Sequence, residues 1–317
     1  MAGATAGSAT TYFNQVSDSL RVLTLTINNR CNLSCPHCYL QYDGDQTCIS
    51  EDLISTVLAS QFAHLAIVGK EPLVDAQSVG ISERLIFDCV RSGRTVSFIT
   101  NGMGLVRLQP EALASTEWID VSLDAGPETY HKYRKANYQK VVEQANRALS
   151  SGLKTLNALH TLSSTNLKCV EDMVAVSKDV PWSKIIFSPF VHARNHGRTL
   201  VSPVSLNDLF STLSNSSAFM ECEKAILLLG EDAFREQGLN ANQILNEASK
   251  AGLSSKLTLL SHDPLELGYL RLTYDGRIMT PYQSLHPADY HLAGIPANTF
   301  SNLQDAFTSL SPAPSLS

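Results

Sequence analysis

Between Arg21 and Val191 short β-branched runs alternate with amphipathic stretches, and this rhythm restricts the folds open to the chain more than any other feature. The strand candidates are Val22–Ile27, Leu65–Val68, Val96–Thr100, Trp118–Leu123, Leu156–Leu162 and Ile185–Val191. Apolar residues at helical spacing lie between them, over Glu51–Gln61, Val79–Arg91, Gln139–Ser150 and Leu167–Lys178. In the third of these Val141, Val142, Ala145, Ala148 and Leu149 share a face, and Gly152 stands just past the end as a stop signal. Ser50 and Asn166 precede the first and last as expected N-caps. Repeated β-then-α units require parallel strands joined by right-handed crossovers. Six such units predict an α/β fold, a partial (βα)6 TIM-like barrel over residues 21–198. An N-terminal extension (1–20), a small C-terminal α+β extension (199–308) and a flexible Ser- and Pro-rich tail (309–317) complete the expected organisation.

The loop after the first strand carries the chemistry. It reads Asn28-Asn29-Arg30-Cys31-Asn32-Leu33-Ser34-Cys35-Pro36-His37-Cys38-Tyr39, a CxxxCxxC spacing. Three thiolates in a tight loop can take three corners of a cubic iron–sulfur cluster. Such a cluster ordinarily has four cysteine ligands. A trio leaves one iron open to a non-protein ligand, and an open coordination position signals chemistry. A structural zinc site is the rival reading. It needs a fourth ligand, which the distant Cys48 could offer, whereas His37 adjoins Cys38 and cannot easily face the same ion. Seven cysteines in 317 residues are too sparse and uneven for a disulfide framework. Cys89, Cys169 and Cys222 are read as buried or idle thiols.

An open parallel sheet binds ligands at the carboxyl ends of its strands. The cysteine loop follows the first strand candidate and Gly69-Lys70-Glu71-Pro72-Leu73 follows the second. Thr100-Asn101-Gly102 closes the third, and Ser122-Leu123-Asp124-Ala125-Gly126 the fourth. Each alone is ordinary turn composition. Their succession at one rim is not.

This set (cluster loop, GGEP-like turn, TNG turn, SLD strand end) resembles the radical S-adenosylmethionine (radical SAM) superfamily in its molybdenum-cofactor-synthesis and peptide-maturase branch. The likeness covers about residues 20–195, with a looser echo beyond. It implies that Cys31, Cys35 and Cys38 bind one 4Fe-4S cluster whose unique iron is chelated by the amino and carboxylate groups of SAM. It implies that Gly69, Glu71 and Pro72 meet the methionine amino group through backbone and acidic side chain. Ser122 and Asp124 would lie near the ribose and carboxylate, Tyr39 toward adenine, and Asn101 in the lining of the site. Two departures stand out. Lys70 replaces the usual second glycine, which preserves the turn if that residue takes φ < 0. Asp124-Ala125-Gly126 replaces Asp-Gly.

After Val191 the rhythm breaks. The loop His192-Ala193-Arg194-Asn195-His196-Gly197-Arg198 is expected at the same rim. Arg194 or Arg198 could hold a carboxylate or phosphate there, and Arg194 and His196 are candidate substrate contacts; the alternative is a solvated loop. Residues 206–254 read as helices without a site. The run from Leu270 to Tyr282 reads as a hairpin turning at Asp275-Gly276. In the peptide-maturase relatives a similar hairpin precedes cysteines for auxiliary clusters. Here Pro281-Tyr282 stands where Pro-Cys would be and no cysteine follows Cys222, so one cluster is the expected inventory. Tyr274, Tyr282, His286, Tyr290 and His291 either line a substrate pocket or pack at a domain edge.

A hydrophobic fraction of 44% with 17% charged residues is globular, and a net charge of −6 argues against nucleic acid and anionic membrane as partners. No run is long and apolar enough to span a membrane, and the N-terminus lacks a signal-peptide pattern. Thiolates meant for iron need a reducing compartment, so the cytoplasm is the expected address. The resemblance implies an electron from a flavodoxin- or ferredoxin-type donor, reductive cleavage of SAM, and hydrogen abstraction. The expected substrate is a small natural-product precursor or amino-acid-like molecule. A ribosomal-peptide maturase is the alternative within the same chemistry. A non-catalytic iron–sulfur or zinc interaction protein is the rival of another class.

Overall fold

The apolar runs pair into a single sheet. The computed structural model describes residues 22–38, 47–190, 201–230, 238–260, 269–279 and 295–296. Six strands match the expected set within a residue or two: β1 (Val22–Thr26), β2 (His64–Val68), β3 (Thr95–Thr100), β4 (Trp118–Ser122), β5 (Leu156–Leu162) and β6 (Lys184–Pro189). They are parallel and in sequence order, as repeated βα units demand.

Residues 206–254 depart from their all-helical reading. Alongside α7 (Leu206–Asn215), α8 (Ser217–Glu221) and α9 (Ala241–Lys250) they contain β7 (Ala225–Gly230), and β8 (Leu257–Leu260) follows. Both strands continue the parallel series beyond β6. A short apolar run such as Ala225-Ile226-Leu227-Leu228-Leu229 cannot be told from a helical segment by periodicity, and pairing with β6 decides it. The expected hairpin forms as β9 (Tyr269–Leu272) and β10 (Arg277–Met279), with Gly276 at φ +83° in the turn. It docks on the free edge of β1, with β9 parallel to it, and β11 (Ile295–Pro296) pairs with β10. The full order is β11-β10-β9-β1-β2-β3-β4-β5-β6-β7-β8, of which the nine strands from β9 to β8 run parallel.

Helices α1 (Glu51–Ala59), α2 (Ala76–Arg91), α3 (Pro110–Ser115), α4 (Tyr130–Arg134), α5 (Tyr138–Ser150) and α6 (Val170–Ala175) fill the crossovers. Ser50 caps α1 as expected, accepting from the Leu53 N–H. Asn166 does not cap. The chain enters α6 through a 3-10 turn at Leu167–Cys169, and the Asn166 amide is already used elsewhere, as described below. Cys89 is fully buried, with its thiol pushed up to about 11 by burial, whereas Cys169 and Cys222 are only half-buried.

Alternation along the strands separates two faces. Leu23, Leu25, Leu65, Ile67, Val96, Phe98, Ile119, Val121, Ala158 and Phe187 belong to the core beneath the helices. The opposite face, the interior of a partial barrel, is polar and bonded to itself. His64 reaches Thr95 and Ser97 (2.7 and 2.8 Å). Asp120 accepts from Trp118 Nε1 (3.2 Å) and Asn157 Nδ2 (2.8 Å), while burial raises its carboxyl to about 6. The interior is thus chemically dressed, unlike a packed hydrophobic barrel core. Among the described residues no helix is long and apolar enough to cross a membrane.

Candidate active site

The cysteine loop leaves the carboxyl end of β1 and is fastened to four neighbours. Asn28 makes the first tie: its Nδ2 donates to the Glu71 carbonyl and to Ser78 Oγ, both at 2.9 Å. Two backbone bonds reinforce it, Lys70 N–H to the Asn28 carbonyl (3.3 Å) and Glu71 N–H to that of Arg30 (2.9 Å). Gly69 packs tightly here, since a Cβ would stand 3.0 Å from Asn28 Oδ1. Lys70 is not among the residues with positive φ, so its side chain is carried without backbone strain.

Glu71 is buried and both oxygens of its carboxylate accept hydrogen bonds. It accepts from Thr100 Oγ1 (2.6 Å), Leu73 N–H (3.0 Å) and Asn101 N–H (2.7 Å). Burial raises its pKa and these donors pull it back. The side chain therefore clamps the β2 turn to the end of β3. From that end Asn101 reaches the cysteine loop, donating to Asn32 Oδ1 (2.8 Å) with Cys31 Sγ 3.9 Å away.

The third tie was not anticipated from the residue types. His37, between two of the cysteines, places Nε2 2.7 Å from Asp124 Oδ2. The same oxygen accepts from Arg134 Nη1 at 2.7 Å, and Oδ1 accepts from the Thr161 N–H at 2.7 Å. Asn166 completes the joint by donating to the carbonyls of Asp124 (2.9 Å) and Thr161 (2.8 Å). Asp124 takes φ +56°, a left-handed conformation that Asp tolerates better than most residues. Two residues on, a Cβ on Gly126 would fall 1.9 Å from the Asp172 carbonyl oxygen, so only glycine lets the β4 end pass α6. The fourth tie joins Asn29 Nδ2 to the hydroxyl of Tyr274 in the hairpin (3.3 Å).

Cys31, Cys35 and Cys38 are held in no disulfide and are partly exposed. Burial is the main reason the Cys31 and Cys35 thiols are raised, Cys35 to about 11, and the charges of neighbouring cysteines raise both further. Three thiols that repel each other on ionising suit a cationic group that neutralises them, and the all-sulfur donor set suits iron–sulfur ligation. Cys48 lies against Ser78 Oγ (3.8 Å) and the Arg30 guanidinium. Pro72 is buried, and Ser122 is half-buried at the end of β4. Tyr39, Arg194, His196 and Tyr282 lie outside the described residues, as do His286, Tyr290 and His291.

The sequence reading missed His37, Arg134, Thr161 and Asn166. His37 was signalled by its place inside the motif. Arg134 had no local signal, since only the fold brings α4 to the loop.

The family model described as the radical SAM superfamily matches residues 25–176. A probable GTP 3′,8-cyclase of Methanocaldococcus jannaschii is 26% identical over 170 residues, covering 51% of this chain and 56% of the relative. Molybdenum cofactor biosynthesis protein 1 of Mus musculus is 27% identical over 172 residues, 50% of this chain and 27% of the relative. The chain thus spans about half of the first relative and about a quarter of the second. Among solved structures, Streptococcus suis SuiB bound to S-adenosylmethionine superposes with a TM-score of 0.65 at 15% identity, over 96% of this chain and 68% of that one. Native anSMEcpe with bound AdoMet and the Kp18Cys peptide gives 0.57 at 15% identity, over 90% and 78%. These two likenesses concern the fold.

Proposed function

Because the chain belongs to the radical SAM superfamily through residues 25–176, we propose that it cleaves S-adenosylmethionine reductively at a single 4Fe-4S cluster and abstracts hydrogen from a small natural-product or amino-acid-like substrate. The convergence of four structural elements on a loop of three thiols held in no disulfide is the observation that carries this reading. Cys31, Cys35 and Cys38 would hold the cluster. When bound, cluster and SAM supply the one-electron cleavage of a carbon–sulfur bond and a 5′-deoxyadenosyl radical. The chain's own contribution is placement. Asn28, Asn101 and the His37–Asp124 contact hold the loop against the strand ends. Glu71 sets the turn from Gly69 to Pro72, whose backbone groups and acidic side chain would meet the cofactor. Ser122 offers a half-buried hydroxyl at the end of β4. Side chains at the carboxyl rim of the sheet would orient a substrate and limit water near the reacting bond. The setting would be the cytoplasm.

A peptide substrate is the second reading. The observation favouring it is that the likeness to SuiB, also solved with its precursor peptide SuiA, reaches 96% of the chain, far past the family match.

Anaerobically reconstituted protein reduced with dithionite should form 5′-deoxyadenosine and methionine from SAM. The true substrate, deuterated at the reacting carbon, should raise that rate and deliver deuterium into 5′-deoxyadenosine. A reducible cluster that yields no 5′-deoxyadenosine with any candidate, small or peptidic, would sink the proposal.

The β2 turn gives a second test. Lys70→Gly should change SAM affinity less than about tenfold, or roughly 1.4 kcal/mol, because Lys70 already holds an ordinary backbone conformation. Glu71→Ala should weaken SAM more, by releasing the turn from Thr100 and Asn101. Equal, negligible changes in titrations of the two variants would place this turn away from the cofactor.

A further inference from the structure

The reading above needs an electron from outside the chain, and the surface beside the cysteine loop has the charge to receive its carrier. Residues 131–140, from α4 into α5, hold Lys132, Arg134, Lys135, Lys140 and His131 and not one carboxylate, in a chain of net charge −6. Arg134 is buried against Asp124. His131, Lys132, Lys135 and Lys140 are exposed, and among the described residues no ion pair engages the three lysines. His131, Lys135, Asn137, Tyr138 and Gln139 line an open groove of about 650 Å³ between them. Lys135 keeps φ +57° at the end of α4, where glycine would sit without strain.

This patch adjoins the cluster loop directly. The Cys35 thiol points to the carbonyl of Arg134 at 4.0 Å, so Lys135 follows the very residue that touches a proposed cluster ligand. We propose that the exposed lysines of this segment, Lys132, Lys135 and Lys140, form the docking surface for an acidic one-electron carrier protein of the flavodoxin or ferredoxin type. The inference rests on the reading of the site as a redox cluster. Opposite charge steers such a carrier to the patch and orients it, and docking beside Cys35 brings its redox centre close to the cluster, where electron transfer is fastest. The transfer moves a single electron. The carrier is oxidised by one and the cluster reduced by one, with no bond made or broken.

The test compares the wild-type chain with the Lys132→Glu, Lys135→Glu, Lys140→Glu triple variant, using a purified bacterial flavodoxin. A control variant carries Glu at the exposed lysines Lys154, Lys178 and Lys224. In titrations of cluster-free protein at low ionic strength, the patch variant should bind flavodoxin at least about tenfold more weakly, and high salt should shrink the difference. In reconstituted protein the KM for flavodoxin in SAM cleavage should rise by a similar factor, while the dithionite-driven rate stays at the wild-type level. Wild-type flavodoxin affinity in the patch variant, or equal weakening in the control variant, overturns the proposal. Failure of dithionite to drive cleavage in wild type would instead strike the redox-cluster reading, and the cluster-free titration would still decide the docking surface.

Discussion

Replacing Cys31, Cys35 and Cys38 together by alanine should remove the iron and abolish the formation of 5′-deoxyadenosine. The single changes Cys89→Ala, Cys169→Ala and Cys222→Ala should leave the iron near one four-iron cluster per chain. The contrast follows from placement. The three loop thiols are held in no disulfide, partly exposed and close enough for their charges to interact. Cys89 is sealed in the core, and Cys169 faces the Tyr133 hydroxyl at 3.8 Å. Iron and sulfide analysis with absorption spectra of anaerobically reconstituted protein makes the measurement. Stoichiometric zinc with no iron, after anaerobic purification from an iron-replete host, would restore the rival zinc reading.

The second large effect concerns stability. Asp124→Ala should cost the cluster-free protein about 3–5 kcal/mol, because it strands the buried Arg134 guanidinium without its carboxylate. In a chain of this size that lowers the melting temperature by roughly 5–8 °C, which calorimetry would record. Burial alone would raise the Asp124 carboxyl, but the Arg134 guanidinium and the His37 ring prevail and hold it well below the usual carboxylate range. A depressed pKa sets the sign: the stabilisation is complete above the ordinary carboxylate value of about 4 and fades as pH falls through the lower folded value. The gap between wild type and variant should therefore stay constant from neutral to mildly acidic pH and close only in strong acid. An unchanged melting temperature would mean that Asp124 serves a bound cofactor alone and not the joint between β4, α4 and the cysteine loop.

The parallel sheet and the thiol trio were legible in the sequence because each is a local signal. β-branched runs, helical spacing and the CxxxCxxC interval all lie within a few residues of one another, and the order of turns after successive strands follows from connectivity alone. β7 was not legible, since five apolar residues in a row suit a helix or a buried strand equally, and only the open edge of β6 chooses. The hairpin could be read from Asp275-Gly276, but its seat on β1 could not, because nothing in residues 269–279 encodes which sheet edge is free.

The same division runs through the site. The sequence by itself determined which atoms are available: three sulfurs, an acidic turn, an Asn-bearing turn and a Ser-x-Asp strand end, in that order. The tertiary structure decided what those atoms face. It turned Glu71 inward to brace Thr100 and Asn101, and it paired His37 with Asp124. It also brought Arg134, ninety-nine residues from Cys35, against that thiol and exposed the lysines around it. The physical reason is that a side chain's partner depends on distance and burial. Sequence specifies these only between near neighbours, whereas a buried charge such as Arg134 or Asp124 must find its counterpart wherever the folded chain places one.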